Sequence, residues 1–278
     1  MLAVAALTSA LAANAPVVVH DSREQFPLSS VAAASVVVPG RDGDRRSAVY
    51  GRATPAAGGG AWLQYWLFYA GNDQDRGIVR TGRHEGDWEM VQYRLDRTGR
   101  PVEAVYAQHS IAERCAWSAV EQRGGRPVVY AAHGSHASYL RAGTRDRMWP
   151  DPNDEADGRG EIVRPRLVAV SASTPPWMRW SGRWGGAEAA WWNPAEQDSP
   201  TGPAFQQQGR WSDPDAWARA ATPCRAACDE VGECDDKETL MGVGMAGLAT
   251  LLGLLSVRWW RRRRTASRLQ DDLPHRPA

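Results

Sequence analysis

The sequence is almost without lysine, has no internal repeat and offers no basic surface away from its C-terminal end. Lys237 is the only lysine, which we attribute to the base composition of the genome. The formal net charge is +1, but Arg258 and Arg261 to Arg264 crowd near the C-terminus, so the rest of the chain is mildly acidic. A nucleic-acid-binding domain carries its basic patch on the folded part. The composition therefore argues against nucleic acid as a partner.

Three motifs of well-defined chemistry occur only in part. The acidic stretch Trp149 to Glu161 has the composition of a calcium loop, but it lacks the glutamate that ends an EF-hand loop. Gly242 to Gly247 has the glycine spacing of a dinucleotide-binding loop but follows no strand. Ser135 lacks the glycine two residues further on that a nucleophile elbow uses. None of these three classes of site is indicated.

The chain has only four cysteines, an even number: Cys115, Cys224, Cys228 and Cys234. If the main domain faces an oxidising space, we expect these residues to form two disulfides. Four cysteines allow three pairings, and the spacing does not choose among them. A zinc knuckle is the alternative, but the cluster has no Cys-x2-Cys pair and no nearby histidine.

Two apolar segments predict how the chain is placed in the cell. Met1 to Ala15 is rich in alanine and ends in small residues, which is typical of a signal peptide. No basic residue precedes it, so its true start is predicted to be lost to a misplaced initiator methionine. Leu240 to Val257 contains no charged residue and is long enough for a transmembrane helix. Trp259 and Trp260 suit the membrane interface, and the arginines that follow indicate the cytoplasmic side.

These segments divide the chain into five parts. We predict a signal peptide at 1–15, a folded domain at 16–222 and a cysteine-containing stalk at 223–239. A transmembrane helix at 240–257 and a basic cytoplasmic tail at 258–278 complete the chain. The prediction is a single-pass protein of the cell membrane whose main domain lies outside the cytoplasm.

The sequence predicts that the folded domain is mainly β. Most of its segments are short and bounded by turn residues, and few have a helical period. Ala61 to Tyr69 is aromatic at both parities, which predicts a strand covered on both faces. Val17 to Val19, Trp88 to Leu95, Val102 to His109, Pro127 to Ala132 and Ile162 to Val170 are the other predicted strands, and a short helix is expected from Ser29 or Ser30. With 43% hydrophobic residues, such strands predict a two-sheet β-sandwich.

A loop-rich region rich in tryptophan follows the last predicted strand. Tryptophans of this kind can form a platform for sugar rings, but more often they are core or covering residues, which is the interpretation we favour. The cluster comprises Trp177, Trp180, Trp184, Trp191, Trp192, Trp211 and Trp217.

The stretch Arg83 to Glu89 gathers one histidine and three carboxylates within seven residues. It runs into an alternating strand, so Asp87 and Glu89 project from the same face. His84 is placed on the turn just before them. One imidazole and two carboxylates aimed at one point suit a divalent cation. The alternative is a set of rim charges paired with arginines.

Further candidate residues lie in neighbouring loops. Asp73 and Asp75 belong to a predicted loop, Gly71 to Gly77, just before this stretch. His109 ends a strand, and His133 and His136 flank a glycine turn directly after another, a position where loops often carry function. Hydrogen-bonded structural histidines are the alternative.

Several ordered motifs resemble the vacuolar protein sorting-associated protein 62 family. The likeness extends over roughly Pro16 to Trp217. It rests on Tyr65 to Tyr69, His84 to Glu89, Gln108 to Ser110, Pro127 to Tyr139, Trp180 to Gly185 and Ser199 to Pro203. The C-terminal membrane anchor departs from most members, and the sorting phenotype behind the family name has no evident counterpart here.

A more distant likeness connects the same stretch to necrosis-inducing proteins, which carry the heptapeptide Gly-His-Arg-His-Asp-Trp-Glu. Those proteins are β-sandwiches in which a histidine, the aspartate and the glutamate, with an upstream aspartate, surround a divalent cation. The resemblance implies His84, Asp87 and Glu89 as ligands here, with Asp75, or less well placed Asp73, as the fourth. Gly86 replaces the second histidine. The lytic activity of those proteins depends on loops that do not align.

Three functions are compatible with this sequence. The first is a membrane-anchored binding module whose cation holds a carbohydrate or lipid head group. The second is a metal-dependent hydrolase in which His109, His133 and His136 approach the cation and Glu85 or Glu89 acts as base. The third is a structural domain without a ligand. Carboxylates with one imidazole suit Ca²⁺, Mg²⁺ or Mn²⁺ better than a closed zinc site, and zinc is the alternative.

Overall fold

The computed structural model describes residues 4–76, 79–147, 152–186, 197–206, 209–232, 234, 244 and 246–260. The chain divides into two units, Met1–Asp235 and Asp236–Ala278. The first unit contains all of the strands that the described residues form.

Fourteen strands occur in the described part of the first unit. They are β1 (Val17–His20), β2 (Ala48–Pro55), β3 (Ala61–Arg76), β4 (Val79–Leu95), β5 (Pro101–Gln108), β6 (Ile111–Ala116), β7 (Gln122–Arg123), β8 (Arg126–Ala131), β9 (Ser138–Tyr139), β10 (Gly143–Arg145), β11 (Asp154–Ala156), β12 (Ile162–Val163), β13 (Arg166–Ala169) and β14 (Thr222–Pro223). The helices are short: α1 (Val4–Ala13), α2 (Pro214–Ala220) and α3 (Cys228–Val231), with 3-10 turns at Val31–Ala33, Trp117–Ala119, Pro176–Arg179 and Pro203–Phe205.

The strands form two principal sheets. The larger has seven strands in the order β13-β2-β3-β4-β5-β6-β14, and the smaller has the order β12-β1-β8-β7 with β9 also paired to β8. A separate pair joins β10 and β11. The prediction of a mainly β domain with two sheets is confirmed.

The central strand β3 is buried on both faces, as its aromatic composition predicted. Its odd-numbered residues, Leu63 to Tyr69, enter a core shared with Val18 and Val129 of the smaller sheet. Its even-numbered residues Trp62, Trp66 and Phe68 enter a second core. Each fully buried large apolar side chain contributes on the order of 1.5–3 kcal/mol, so this strand is a large part of the stability.

The tryptophan-rich region supplies the cover of the second core. Trp177, Trp184, Trp211 and Trp217 are buried against the larger sheet. Trp177 and Trp184 each lie within ring contact of Trp88, at 5.9 and 5.2 Å between centroids. For these four the interpretation as core and cover is confirmed, whereas Trp191 and Trp192 lie outside the described residues.

Three sequence expectations need correction. The polar segment Gly71 to Gly77 is not a loop up to Arg76, because β3 continues through it and pairs with β4, as in Gly71 with Glu85 and Asn72 with His84. His84 therefore lies within β4 and not on a turn. Ile162 to Val170 is not one strand. Pro165 interrupts it, since proline has no N–H for a ladder, and the two halves pair with different sheets.

The sequence predicts a signal peptide at the start of the chain and a membrane anchor with a basic tail at its end. The segment 4–13 is helical, with Leu11 buried in the core and its carbonyl accepting a hydrogen bond from the Tyr65 hydroxyl at 2.9 Å. The signal peptide stays a prediction.

Residues 246–260 of the second unit are helical. Residues 240–243 and 245 of the predicted span, and residues 261–278 of the tail, lie outside the described residues. No helix formed by the described residues is both long enough and apolar enough to cross a membrane.

The four cysteines form two disulfides, Cys115–Cys224 and Cys228–Cys234. The first bridges 109 residues and the second only 6. The first therefore ties β6 to the segment after β14, where the Cys224 N–H also donates to the Arg114 carbonyl. The prediction of disulfides is confirmed and the pairing is resolved.

The two disulfides should differ in how much they stabilise the fold. Closing a loop of about 110 residues restricts the unfolded chain by about 5 kcal/mol, against about 2 kcal/mol for a loop of about 7. Urea unfolding should show the larger loss of free energy for Cys115→Ala/Cys224→Ala. The double variant Cys228→Ala/Cys234→Ala is the matched control, and equal losses would contradict this expectation.

Candidate functional site

The candidate site lies where one face of β4 changes from apolar to charged. Val91, Tyr93 and Leu95 on this face belong to the core between the sheets. Two and four residues before Val91, the same face presents Glu89 and Asp87, because side chains alternate along a strand. Both carboxylates are only 6% exposed. The core therefore continues at its end as a buried acidic patch.

A cavity of about 880 Å³ opens beside this patch, a size typical of small-molecule sites. Most of its wall is polar. The lining residues are Asn72, His84, Asp87, Trp88, Glu89, His109, Ser110, Arg147, Ser181, Gly182, Arg183, Gln197, Asp198, Ser199, Pro200, Thr201, Phe205, Gln206 and Arg210.

His136 binds the acidic patch from the smaller sheet. Its Nδ1 lies 2.9 Å from Asp87 Oδ2 and its Nε2 lies 3.3 Å from Glu24 Oε1, while the ring stacks on Tyr69 at 3.9 Å. Burial would lower the pKa of His136, but the hydrogen bonds to Asp87 and Glu24 outweigh it and raise that pKa to about 9. The ring is thus an imidazolium that donates from both nitrogens.

This environment shifts the pKa values of Asp87 and Glu89 in opposite directions. Burial would raise the pKa of Asp87, but the hydrogen bond from His136 and the nearby histidines lower it. Burial and then the charge of Asp87 raise the pKa of Glu89 well above its ordinary value, opposed by Arg210. Within the described residues, Glu89 Oε2 is buried without a hydrogen-bond partner. Glu89 is therefore the least compensated acidic group of the site.

His84 presents one ring nitrogen to the cavity. Its Nδ1 lies 2.8 Å from the Gly86 carbonyl, which can only accept, so Nδ1 carries the proton and Nε2 keeps its lone pair in the neutral ring. Gly86 itself has φ +64, and a Cβ there would lie 2.5 Å from the Trp184 carbonyl oxygen. No side chain fits at this position, which explains why a histidine could not stand there.

A second pair of a histidine and a carboxylate, His109 and Asp154, borders the cavity. His109 Nε2 lies 2.7 Å from Asp154 Oδ2, and Asp154, which is fully buried, also accepts from the Ser135 and Tyr139 hydroxyls at 2.8 and 2.7 Å. Burial would raise the pKa of Asp154, but His109 and its other partners hold it well below its usual range. Asp154 is therefore an anion that orients His109.

The structure brings together most of the predicted residues. His84, Asp87, Glu89 and His109 line the cavity, and His136 contacts Asp87 behind it. Asp73 borders an adjoining cavity of about 400 Å³ that also includes His84, and its carboxylate lies 3.7 Å from Arg83 Nε. His133 uses its backbone N–H to bind the Glu155 carbonyl, and its ring is not part of either wall. The side chain of Asp75 lies outside the described residues.

No group of three or more histidine, cysteine or acidic side chains in the described part has the geometry of a metal site. The cation expected from the sequence accordingly stays a prediction. Glu24, Asp154 and Arg210 were not identified from the sequence. Asp154 lay in the acidic stretch that resembled a calcium loop only in composition, and nothing in the pattern around Glu24 or Arg210 pointed to β4.

The chain is thus a mainly β protein with two principal sheets and a polar cavity beside a buried acidic pair. Residues 40–151 match the model of the vacuolar protein sorting-associated protein 62 family. The resemblance seen in the motifs is confirmed over that range. No curated protein matches the chain.

Solved structures of necrosis-inducing proteins are similar to this chain. A non-toxic HaNLP3 protein is 13% identical with a TM-score of 0.46, covering 81% of this chain and 96% of its own. Necrosis and Ethylene inducing Protein 2, from the causal agent of cocoa's Witches Broom disease, is 14% identical with a TM-score of 0.37, covering 58% and 72%. NLPPya in complex with glucosamine is 16% identical with a TM-score of 0.38, covering 59% and 73%.

The Glu24–His136 pair should make stability sensitive to acid. Burial would raise the pKa of Glu24, but the hydrogen bond from His136 lowers it from the ordinary 4.5 to about 2. Its carboxylate therefore adds stability above about pH 4.5 that is lost as the pH falls through about 2, a change of about 3 kcal/mol. Urea unfolding of the wild type and Glu24→Gln should show their difference shrink by this amount across that window.

Glu161→Gln is the control for this measurement, because the side chain of Glu161 is exposed. Its difference from the wild type should stay nearly constant with pH. A Glu24→Gln difference that is equally constant would show that the pair does not contribute as expected.

Proposed function

We propose that the cavity binds a divalent cation through Asp87, Glu89 and His84, and that the cation holds a hydroxyl-rich ligand such as a sugar or a lipid head group. The single observation that carries the proposal is Glu89, a buried carboxylate beside a second one, whose Oε2 has no hydrogen-bond partner within the described residues. An uncompensated buried carboxylate is strongly unfavourable. A cation between Glu89 and Asp87 would offset both charges.

The remaining donors support the same assignment. Asp87 uses Oδ2 for His136, which leaves Oδ1 for a cation. The Gly86 carbonyl fixes the His84 tautomer so that Nε2 is available, an arrangement common around metal-binding histidines. Two carboxylates and one imidazole favour Ca²⁺, Mg²⁺ or Mn²⁺ over Zn²⁺, and Asp75 is the fourth ligand that the family resemblance implies. Because the described donors do not yet form a metal site, binding must draw them together.

The cavity wall favours a polar ligand over an acyl chain. Most of the wall consists of polar side chains around Ser181, Arg183 and Thr201. Phe205 is the exception, and its 42% exposed ring lies in the same wall. A sugar ring offers hydroxyls to a cation and a C–H face to an aromatic ring, so it is the ligand class that matches both features.

The cation proposal is tested by thermal unfolding of the full chain after exhaustive chelation. Adding Ca²⁺, Mg²⁺ or Mn²⁺ at about 100 times its Kd should stabilise the fold by about 2.7 kcal/mol. In Glu89→Gln the response should disappear, while the cation-free protein unfolds at the same or a higher temperature because a buried carboxylate has been removed.

Glu85→Gln is the matched control, since Glu85 is exposed and binds Ser35 and the Gly186 N–H outside the cavity wall. This variant should respond to the cation like the wild type. No response of the wild type to any of these ions would overturn the proposal and leave the structural role as the alternative.

We also propose that residues 240–257 anchor the chain in the cell membrane with the β domain outside the cytoplasm. The uncharged run, Trp259 and Trp260, and the arginines after them support this orientation. Protease added to intact cells should remove the β domain and leave an epitope tag at the C-terminus intact. Protection of the domain until the cells are lysed would contradict the orientation.

A further inference from the structure

The turn between β5 and β6 carries an unexpected residue. Gln108 pairs with Ile111, so His109 and Ser110 alone connect the two strands. His109 has φ +54, in the left-handed region that two-residue hairpin turns normally give to glycine or asparagine. A residue other than glycine keeps this backbone conformation only where surrounding contacts hold it.

Two contacts fix the orientation of His109. Its carbonyl accepts a hydrogen bond from the Arg210 guanidinium, and its Nε2 contacts the buried carboxylate of Asp154 at 2.7 Å. Because a carboxylate only accepts, Nε2 carries the proton, and Nδ1 is left with its lone pair in the neutral ring. Ser135 and Tyr139 donate to Asp154 in turn and hold it in place.

The ring of His109 faces the space where a ligand would lie. It belongs to the wall of the 880 Å³ cavity and to that of a neighbouring cavity of about 410 Å³. Its side chain is 26% exposed, whereas that of Asp154 is fully buried. An accessible imidazole oriented by a buried carboxylate is the arrangement that general bases use.

The charges around the cavity favour an anionic substrate. Asp87 and Glu89, once ionised, balance a divalent cation. Arg210 lines the same cavity, is 4% exposed and has its Nε without a partner in the described part of the chain. The loaded site therefore carries an excess positive charge, which an anionic group such as phosphate would compensate.

We propose that this cavity hydrolyses a phosphate ester, with His109 as the general base and Asp154 as its positioning residue. The proposal rests on the proposed cation site, which polarises phosphoryl oxygens when loaded. His109 Nδ1 takes a proton from water as the water oxygen bonds to phosphorus. The bond from phosphorus to the ester oxygen breaks, and its electron pair goes to that oxygen. The imidazolium then returns the proton to the departing alcohol, so that ester and water give phosphate and alcohol.

The test measures hydrolysis of p-nitrophenyl phosphate and bis(p-nitrophenyl) phosphate by the full chain with Mn²⁺. His109→Asn is the informative variant, because asparagine tolerates the left-handed backbone and the turn is kept. We expect kcat to fall by at least about 100-fold with KM little changed. Asp154→Asn should also lower kcat. Asp44→Asn is its control, because it changes a half-buried loop carboxylate that pairs with Arg46 and Arg166 and not with a residue of the cavity.

Two further measurements separate this proposal from the cation site. The Mn²⁺-dependent rise in melting temperature should persist in His109→Asn, because His109 is not one of the proposed ligands. Adding imidazole to His109→Gly should restore part of the lost rate, an effect that a purely structural role would not produce.

A wild type that binds Mn²⁺ but hydrolyses neither ester would overturn this proposal and leave the cation site standing. Hydrolysis that survives His109→Asn unchanged would also overturn it. A wild type whose melting does not respond to any ion would remove the cation site on which the proposal rests.

Discussion

A buried imidazolium between two carboxylates is the interaction on which the site depends. His136 binds Asp87 on β4 and Glu24 in the segment after β1, and its ring stacks on Tyr69 of β3. It thereby connects the larger sheet, the smaller sheet and a loop at the point where the apolar core ends. Charges are tolerated inside a fold only when they are paired and hydrogen-bonded. His136 meets that need for Asp87 but not for Glu89, whose pKa burial and the neighbouring Asp87 raise well above its ordinary value.

Much of the central architecture could be predicted from local pattern. Residues 61–69 are aromatic at both parities, and such a strand can only be stable when both of its faces are covered. The alternation through β4 placed Asp87 and Glu89 on one face, because the period of a strand fixes that geometry. The hairpin was longer than predicted, since polar residues such as Asn72 read as a loop although their backbone groups are paired across the strands.

The rest of the site depends on contacts between distant segments, which local pattern does not encode. Glu24 and His136 are 112 residues apart, and Asp154 reaches His109 across 45. The same holds for Cys115 and Cys224, whose pairing depends on β14 lying beside β6. The sequence placed His109 at the end of a strand, but the left-handed backbone that it shares with His136 is visible only in three dimensions.

Trp88 lies between the two carboxylates in sequence but points to the opposite side of the sheet, where it contacts Trp177 and Trp184. Trp177 and Trp184, which are not among the residues that line the cavity, therefore pack against the strand that carries the acidic pair. This packing holds in place the part of β4 that carries Asp87 and Glu89. Substitution of Trp177 or Trp184 would therefore shift the positions of Asp87 and Glu89, and with them the shape of the cavity, without changing any residue that lines it.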